Sequence, residues 1–305
     1  MERWPYSGVM TEQDPGVVYC SHFAANRANW DDRATLHEAS GYGIAELLAS
    51  PTALTKDVTD DLGRLGNISG LDVIHLQCHL GLDTISLARL GARRVVGLDM
   101  SPRSLKRARE LARRAEARIE LVEANVYAAR EVVTGDFDLV YTTLGVLCWL
   151  PDIDAWARVV ACLLRPGGRL ILRDDHPAFM AVGDDTSHGL TLHEPYFQRH
   201  EPMTWENEGS YVETPEGAAP IAHTRSHQWN HAVGGDPHRP AGGGPRPGGG
   251  ERDPCECLAP LARPHGALRG GLPLHRPGDA RHAASPAGRC RPPAMTSSSS
   301  SSKMP

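Results

Sequence analysis

The residues Gly81 and Asp99 have the types and the spacing of a site that binds a ribose. Gly81 lies in a turn after the apolar stretch 73–76, and Asp99 follows a second apolar stretch over 95–98. An acidic residue about 20 positions beyond such a glycine lies at the carboxyl end of the next parallel strand, where ribose hydroxyls bind. A carboxylate there can accept both hydroxyl hydrogens. The stretch 71–99 therefore predicts half of a nucleoside-binding site.

The turn before the first predicted helix contains a single glycine. It reads Gln77, Cys78, His79, Leu80 and Gly81. A dinucleotide pyrophosphate instead favours G-x-G-x-x-G, because the backbone must approach the phosphates closely. One glycine suits a ligand with a ribose but no pyrophosphate, and S-adenosylmethionine (SAM) fits that description. The turn favours SAM over NAD, so a nicotinamide-dependent oxidoreductase is the second hypothesis.

The elements that position these residues alternate between strands and helices. Apolar runs predict strands over 73–76, 95–98, 119–122, 137–141 and 169–173, and helices begin near Asp83, Ser101 and Asp152. The residues 165–168 (RPGG) predict a turn before the fifth strand. This alternation predicts an α/β fold with a doubly wound, mostly parallel sheet. The ligand of such a sheet lies across the carboxyl ends of its strands.

The flanking segments divide the chain into four predicted parts. Residues 1–60 form an N-terminal helical lid, 61–177 a SAM-binding core, 178–233 a substrate-covering insertion after the fifth strand, and 234–305 a Gly/Pro/Arg-rich tail. Within the lid, Trp30, Arg33, Leu36 and His37 fall on one helical face. The insertion interleaves aromatic and acidic residues, which suits a cover over the crevice.

The composition of the tail predicts either disorder or a shifted reading frame. Lysine is rare relative to arginine throughout the chain, which indicates a GC-rich gene. Reading the codons of 235–244 one base later permits E-I-L-T-A-L-L-E-A-G, an amphipathic helix ending in a C-cap glycine. The nucleotide sequence around codon 234 distinguishes the two hypotheses.

Composition narrows the classes of function. The chain has 305 residues, 40% hydrophobic content and a formal net charge of -5, which predicts a globular protein that does not bind nucleic acid. No apolar run reaches the roughly 18 residues of a membrane span, and we expect a cytoplasmic monomer or homodimer. The seven cysteines are then expected as free thiols without a disulfide or a metal ion.

Several motifs support a closer assignment. The sequence contains His75–Thr84 (HLQCHLGLDT), Gly97–Pro102 (GLDMSP), Leu147–Asp152 (LCWLPD) and Leu163–Leu170 (LLRPGGRL), and Trp229–His231 near the end of the insertion. In these motifs the chain resembles the class I SAM-dependent methyltransferases, in particular a bacterial subgroup that acts on small molecules. The resemblance runs from about residue 25 to 232.

The resemblance implies a set of cofactor contacts. The turn residues Gln77, Cys78, His79 and Gly81 would hold the methionine end of SAM, and Asp99 the ribose. The adenine would meet Met100, Asn125 and Val126, while Thr143, Leu144 and Gly145 would line the sulfonium side. Trp30 of the lid completes the predicted set, although a tryptophan there is more often a core residue.

Catalysis by such a protein needs few specialised groups. A sulfonium is an activated leaving group, so orientation and desolvation can supply much of the rate. If the acceptor is a hydroxyl, His176 at the end of the fifth strand is the candidate general base, and a purely local structural role for it is an open alternative. The third hypothesis is an inactive SAM-binding product of a frame-shifted gene, because such a chain would lack the elements that close the sheet.

Overall fold

The computed structural model describes residues 19–182, 187, 189–213, 216–218 and 220–234, all of which belong to the unit Met1–Ala262. The predicted tail beyond Gly234 and the first 18 residues of the predicted lid lie outside this described part. The hypothesis of a shifted reading frame therefore stays a prediction.

A five-stranded parallel sheet with the order β3-β2-β1-β4-β5 forms the centre of the fold. Its strands are β1 Asp72–Leu76, β2 Arg94–Asp99, β3 Glu120–Glu123, β4 Phe137–Thr142 and β5 Leu164–Leu172. The chain reverses its direction of travel across the sheet between β1 and β4, which is where such folds bind ligands. The predicted α/β class and parallel sheet are confirmed.

The fifth strand differs from its prediction at the amino end. It begins at Leu164 rather than at Arg169, because Leu164 pairs with Phe137 before the regular ladder starts with Arg169 opposite Leu139. The predicted turn 165–168 is thus an irregularity inside β5, with Gly167 in the left-handed region at φ 80°. The carboxyl end, which faces the candidate site, agrees with the prediction to within one residue.

The helices surround this sheet and connect its strands. They are α1 Cys20–Ala39, α2 Ile44–Leu48, α3 Lys56–Asp60, α4 Leu62–Leu65, α5 Leu82–Arg89, α6 Pro102–Arg114, α7 Ala129–Val132, α8 Ile153–Leu163 and α9 Pro177–Val182. Three of them, α3, α6 and α8, start at side-chain caps: Thr55 Oγ1 accepts a hydrogen bond from Val58 N at 3.4 Å, Ser101 Oγ one from Ser104 N at 3.0 Å, and Asp152 Oδ1 one from Ala155 N at 2.9 Å. Within the described residues, no helix is long and apolar enough to cross a bilayer.

Two apolar layers enclose the sheet. On one face Phe137 and Val140 pack with Trp156 and Leu163 of α8, and on the other Val73 and Leu139 belong to a separate buried cluster. Burial on both faces explains why β1, β2 and β4 read as nearly continuous apolar runs, whereas the edge strands β3 and β5 are mostly half-buried or exposed.

A short hairpin is held against α1 by side-chain amides and a carboxylate of that helix. Its strands are β6 Met203–Glu206 and β7 Arg225–Gln228. Asn26 Nδ2 donates to His227 O at 2.9 Å and Asn26 Oδ1 accepts from His227 N at 2.7 Å, while Asn29 Nδ2 donates to His223 O at 2.7 Å. Asp32 Oδ2 accepts from His223 N at 2.8 Å. We call α1 and this hairpin together the roof.

The roof is fixed to the carboxyl ends of β2 and β3. Asp31 Oδ1 accepts a hydrogen bond from Ser101 Oγ at 2.6 Å, and Arg27 forms an ion pair with Glu123 at 2.9 Å. A third contact, between Glu38 and Arg107 at 2.9 Å, joins α1 to α6. The roof therefore lies over the edge of the sheet where the candidate ligand residues are found.

Candidate functional site

Asp99 ends β2 with a buried carboxylate. Its Oδ2 accepts a hydrogen bond from His79 N at 2.8 Å and its Oδ1 one from Ser101 N at 2.8 Å. Burial raises the pKa of Asp99 to about 6, although these backbone donors oppose the shift. Each oxygen retains a further lone pair, so the ionised group can still accept two hydroxyl hydrogens.

The turn between β1 and α5 has a left-handed backbone at three positions. The φ angles are 56° at Gln77, 49° at His79 and 70° at Gly81. Such angles are strained for residues with a side chain and cluster at functional sites. A Cβ atom at Gly81 would lie 3.0 Å from Ala108 Cβ, so glycine is also required here for close packing against α6.

Gln77 presents an acceptor without a partner. Its Nε2 donates to Val146 O at 3.1 Å, which orients the amide between the turn and the loop after β4. Its Oε1 is buried and has no hydrogen-bond partner among the described residues. Buried polar atoms are nearly always paired, so this oxygen is suited to a donor that a ligand brings.

The predicted adenine contacts lie near the ends of β2 and β3. Asn125 is 6% exposed and its Oδ1 accepts a hydrogen bond from Tyr127 N at 3.1 Å, which uses one of the two lone pairs of that oxygen. Met100 is half-buried. Val126 packs in the same core cluster as Phe137, and its predicted contact with the cofactor stays a prediction.

The predicted contact on the sulfonium side, Thr143, follows β4. Thr143 Oγ1 donates to Asp83 Oδ2 at 3.4 Å, which connects the loop after β4 to the start of α5. Burial raises the pKa of Asp83 to about 6. The Thr143 hydroxyl therefore already has a protein partner, and its predicted contact with the cofactor stays a prediction.

Trp30 of α1 lies among aromatic rings from both loops of the crevice. Its ring centroid is 5.0 Å from that of His79 and 5.2 Å from that of Trp149, in edge-to-face arrangements. The guanidinium carbon of Arg33 lies 5.5 Å from the same Trp30 ring. The structure thus brings Trp30 to the predicted cofactor turn, and whether it contacts the cofactor stays a prediction.

Two histidines connect the turn to the roof. His79 Nε2 lies 2.8 Å from His37 Nδ1, and His37 Nε2 lies 2.7 Å from Ser210 Oγ of the insertion. At the other end, His79 Nδ1 lies 3.0 Å from Ser104 Oγ. Burial lowers the pKa of His37 to about 4 and that of His79 well below its usual value, so both rings are neutral at neutral pH.

Asp174 positions the loop after β4. Its carboxylate accepts hydrogen bonds from the backbone N–H groups of Gly145, Val146 and Leu147 at 2.8 to 3.0 Å. This arrangement fixes the loop that would face the sulfonium side of the cofactor. Asp174 was not among the site residues predicted from the sequence.

A small cavity of about 60 Å³ adjoins this loop. Cys148, Asp175, Met180 and Trp229 are among the residues that line it. The Nε1 atom of Trp229 is buried and has no hydrogen-bond partner among the described residues. A larger groove of about 300 Å³ lies elsewhere, between α1 and the hairpin, and is lined by other residues.

The remaining candidates have local roles. His176 is exposed, and its Nδ1 accepts a hydrogen bond from Ala178 N at 3.2 Å at the start of α9; its catalytic role stays a prediction. Cys78 is 4% exposed and burial raises the pKa of its thiol well above the usual value, so it is protonated. Among the described residues, no group of three His, Cys, Asp or Glu side chains could hold a metal ion.

Parts of the chain are similar in sequence to known methyltransferases. Residues 73–168 match the family model described as a methyltransferase domain. The chain is 35% identical over 106 residues to the ubiquinone biosynthesis O-methyltransferase of Xanthomonas oryzae pv. oryzae, covering 35% of this chain and 44% of the relative. It is 34% identical over 116 residues to the enzyme of the same name from Cupriavidus pinatubonensis, covering 36% and 45%.

One solved structure matches a comparable share of the chain. A SAM-dependent methyltransferase from Mesorhizobium loti is 27% identical, with coverage of 42% of this chain and 57% of that one and a TM-score of 0.35. The chain spans less than half the length of the two curated relatives above.

The parallel sheet and the strand-end carboxylate define a Rossmann-like fold whose ligand crevice lies at the carboxyl ends of the strands. The family match makes the assignment narrower: residues 73–168 match a methyltransferase domain. The matched domain and the relatives support the predicted resemblance and the predicted cofactor, SAM. The nicotinamide-dependent alternative has no support from these relatives.

Proposed function

We propose that this protein transfers the methyl group of SAM to a small-molecule acceptor, under the cover of the roof. The proposal rests on one contact: the buried carboxylate of Asp99 accepts a hydrogen bond from His79 N of the strained turn that contains a single glycine. The carboxylate still has lone pairs free for a ligand. A ribose without a pyrophosphate fits that pair.

The polar groups of the crevice fit the parts of SAM. Asp99 would accept hydrogen bonds from the ribose hydroxyls, and the unpartnered Gln77 Oε1 would accept one from the ammonium group of the methionine moiety. Asn125 and Met100 would lie at the adenine. When bound, SAM supplies a methyl group on a positively charged sulfur that is already a good leaving group.

The chain's own contribution is orientation and the exclusion of water. Trp30 lies above the crevice, in contact with the rings of His79 and Trp149. The amides of Asn26 and Asn29, also on α1, are already hydrogen-bonded to the hairpin. Orienting the two reactants and removing water from them can supply much of the rate acceleration of a displacement reaction. No dedicated nucleophile of the protein is required.

The cavity beside Asp174 is the proposed place for the reacting end of the acceptor. It adjoins the loop 145–148 and is lined by Asp175 and by Trp229, whose Nε1 has no hydrogen-bond partner among the described residues. Those two groups could orient an acceptor that has both a lone pair and a hydrogen to donate. His176, the next residue after Asp175, is the proposed base if the acceptor is a hydroxyl, acting through Nε2 because Nδ1 is occupied.

Calorimetric titration of the full chain with SAM and with S-adenosylhomocysteine (SAH) tests the proposal, with NAD as the comparison ligand. We expect binding of SAM and SAH, and no binding of NAD. The Asp99→Asn variant should bind SAH about 10- to 100-fold more weakly, because a hydrogen bond to a charged group contributes about 1.5–3 kcal/mol. Absence of SAM and SAH binding, or a preference for NAD, would reject the proposal.

The acceptor atom is tested by product formation. Because the two curated relatives named above are O-methyltransferases, phenols and catechols are the first acceptors to offer, with primary amines as a second panel. The readout is SAH released in the presence of each panel compared with its absence.

A further inference from the structure

The cavity beside Asp174 is too small to enclose a whole acceptor molecule. Its volume is about 60 Å³, whereas a molecule of liquid water already occupies about 30 Å³. Sites that bury a drug-sized ligand usually measure about 300–1,000 Å³. Among the described residues, none lines both this cavity and the larger groove between α1 and the hairpin. Most of an acceptor whose reacting end enters the cavity must therefore lie on the surface that adjoins it.

The adjoining surface exposes four large apolar side chains. They are Phe179 on α9 and Leu190, Leu192 and Phe197 of the insertion. Phe179 and Leu192 are 67% and 63% exposed. Single exposed apolar residues are common on proteins, but a contiguous group of them is typical of a surface that binds another molecule. We call these four residues the apolar rim.

Backbone hydrogen bonds hold the two parts of the rim together. The N–H groups of His193 and Glu194 donate to Ala181 O of α9 at 2.8 and 3.0 Å. Leu192 directly precedes this pair, and Phe179 lies two residues before Ala181. The segment that carries Leu192 therefore lies against the helix that carries Phe179, and the rim is one surface rather than scattered residues.

Asn230 connects the rim to the cavity. It lines the cavity, and its Nδ2 donates to Pro177 O at 2.9 Å and to Pro195 O at 3.0 Å. One amide thus joins the start of α9 to the insertion at the cavity itself. The same helix contributes Pro177 and Met180 to the lining of the cavity and Phe179 to the rim. The rim therefore begins where the cavity ends.

The polar lining of the cavity and the apolar rim match the two parts of one molecule. We propose that the acceptor carries an apolar chain of several carbon atoms, and that this chain lies along the rim while the reacting end occupies the cavity. The inference rests on the proposed function. A lipid surface, a second copy of this chain or residues beyond Gly234 are the other candidates to cover the rim, but none of them explains its continuity with the cavity.

The test measures how affinity depends on the length of an alkyl chain. Catechols with a methyl, butyl or hexyl substituent para to one hydroxyl are titrated calorimetrically into the SAH-loaded full chain, below the concentrations at which they form micelles. Complete burial of a methylene group strengthens binding about fourfold, and contact with the rim on one side should give about half of that free energy. We expect about twofold per methylene group, and about 30-fold between the methyl and hexyl compounds.

A double variant tests the rim itself. Phe179→Ser combined with Leu192→Ser removes two apolar side chains and leaves the lining of the cavity unchanged. We expect the hexyl compound to bind this variant about tenfold more weakly, and the methyl compound to bind it within about twofold of the unmodified chain. The control is Val132→Ser, because Val132 is 46% exposed but lies on α7, near the amino end of β4. It should leave both affinities unchanged.

Binding of SAH separates this inference from the proposed function. If SAH binds but affinity for the catechols does not increase with chain length, the proposed function stands and the inference is wrong. A dependence on chain length that the double variant retains in full also overturns the inference. If SAH does not bind, the proposed function fails, and the same titrations into the ligand-free chain decide the inference by the same two criteria.

The other candidates to cover the rim predict different results. A lipid surface predicts that neutral phosphatidylcholine vesicles bind the unmodified chain but not the double variant. A second copy predicts a dimer in sedimentation equilibrium that the double variant does not form. Cover by residues beyond Gly234 predicts that the double variant has a lower free energy of unfolding. Any of these results, together with an affinity for the catechols that is independent of chain length, overturns the inference.

Discussion

His37 Nδ1 lies 2.8 Å from His79 Nε2, and this hydrogen bond joins the roof to the cofactor turn. His37 is fully buried, and its ring stacks on Tyr42 at 4.7 Å with an interplanar angle of 19°. The hydrogen bonds form a series from Ser104 through His79 and His37 to Ser210. When both imidazole rings donate in the same direction along this series, every ring nitrogen has a partner. The cofactor turn and the insertion are thus connected by a continuous set of hydrogen bonds through α1.

Replacing His37 with phenylalanine should weaken that connection while keeping the stack on Tyr42. His37→Phe leaves His79 Nε2 without its partner and removes one partner of Ser210, so we expect the free energy of unfolding to fall by about 1–3 kcal/mol. Urea denaturation measures the change. Hydrogen exchange of the hairpin amides should also become faster in the variant.

The matched control for His37 is Tyr42→Phe. It removes the hydroxyl that lies 2.8 Å from Tyr211 OH, a contact that is exposed to solvent, and it keeps the ring. We expect a change within roughly 0.5 kcal/mol. An effect of Tyr42→Phe as large as that of His37→Phe would show that the stack, and not the histidine pair, stabilises the roof.

Cofactor affinity should depend on pH through Asp99. Because burial raises its pKa to about 6, the carboxylate must lose a proton before it can accept two ribose hydroxyls at lower pH. SAH affinity should therefore be constant above pH 7 and about tenfold lower at pH 5. Titrations between pH 5 and 8 measure this dependence, with circular dichroism at each pH to verify that the protein is folded.

The Asp99→Asn variant provides the control, since its amide does not ionise. Its SAH affinity should be low and should lack the transition near pH 6. The sign for stability is opposite to that for binding: the folded state holds the proton more tightly than the unfolded chain, so Asp99 destabilises the fold increasingly as the pH rises from 3.8 to about 6. A transition of unchanged size in Asp99→Asn would assign it to another group.

The alternation of apolar strand-like runs with helical segments made the sheet and the position of Asp99 predictable from the sequence. An apolar strand buried on both faces, followed by one acid, has few alternative interpretations. The turn 165–168 was misplaced because its glycines and proline are typical of a loop, whereas pairing of Leu164 with Phe137 extends the strand. Pairing with a neighbouring strand is a tertiary effect that local composition does not contain.

The burial of the polar residues of the roof was not predicted from the sequence. Arg33 and His37 were placed on one helical face, yet a polar residue on such a face is usually solvated. Their burial depends on Ser210, which lies 173 residues beyond His37 in the chain. The repeat of Asn26, Asn29, Arg33 and His37 at intervals of three or four residues was the available signal, because it predicts a polar face with partners on another element.

His75 should make the fold sensitive to acid. It lies on β1, is 2% exposed, and burial lowers its pKa to about 3. Below pH 6.5 the unfolded chain takes up a proton that the folded state does not, so the free energy of unfolding falls as the pH is lowered from 6.5 towards 3. The expected slope from this group is about 1.4 kcal/mol per pH unit.

His75→Leu should remove that part of the pH dependence. Its Nε2 is buried without a partner among the described residues, and only Nδ1 has one, Thr84 Oγ1 at 2.9 Å, so an apolar side chain is tolerated better than at a fully paired site. Urea denaturation at pH 7 and pH 5 measures the slope. His37 and His79 leave a residual dependence, but an unchanged slope would contradict the assignment to His75.

Gly97 of β2 should not accept a side chain, because the cofactor turn packs directly against it. A Cβ atom there would lie 2.9 Å from Cys78 Sγ and 2.9 Å from Leu121 Cδ2. Overpacking of this kind costs about 1–3 kcal/mol, so Gly97→Ala should lower the free energy of unfolding by that amount. Gly63→Ala is the control, since no atom lies within 4 Å of its Cβ position.

The cause of the Gly97 effect can be separated by a double-mutant cycle with Cys78→Ala. Removing the sulfur opens space on the side of the turn, so Gly97→Ala should be less destabilising in the Cys78→Ala background than in the wild type. Leu121 can relieve its own contact by rotating the end of its side chain, whereas Cys78 is held by the strained backbone between Gln77 and His79. Additive effects of the two substitutions would show that the turn does not constrain β2, and the close fit between the turn and Asp99's strand would then have no energetic role.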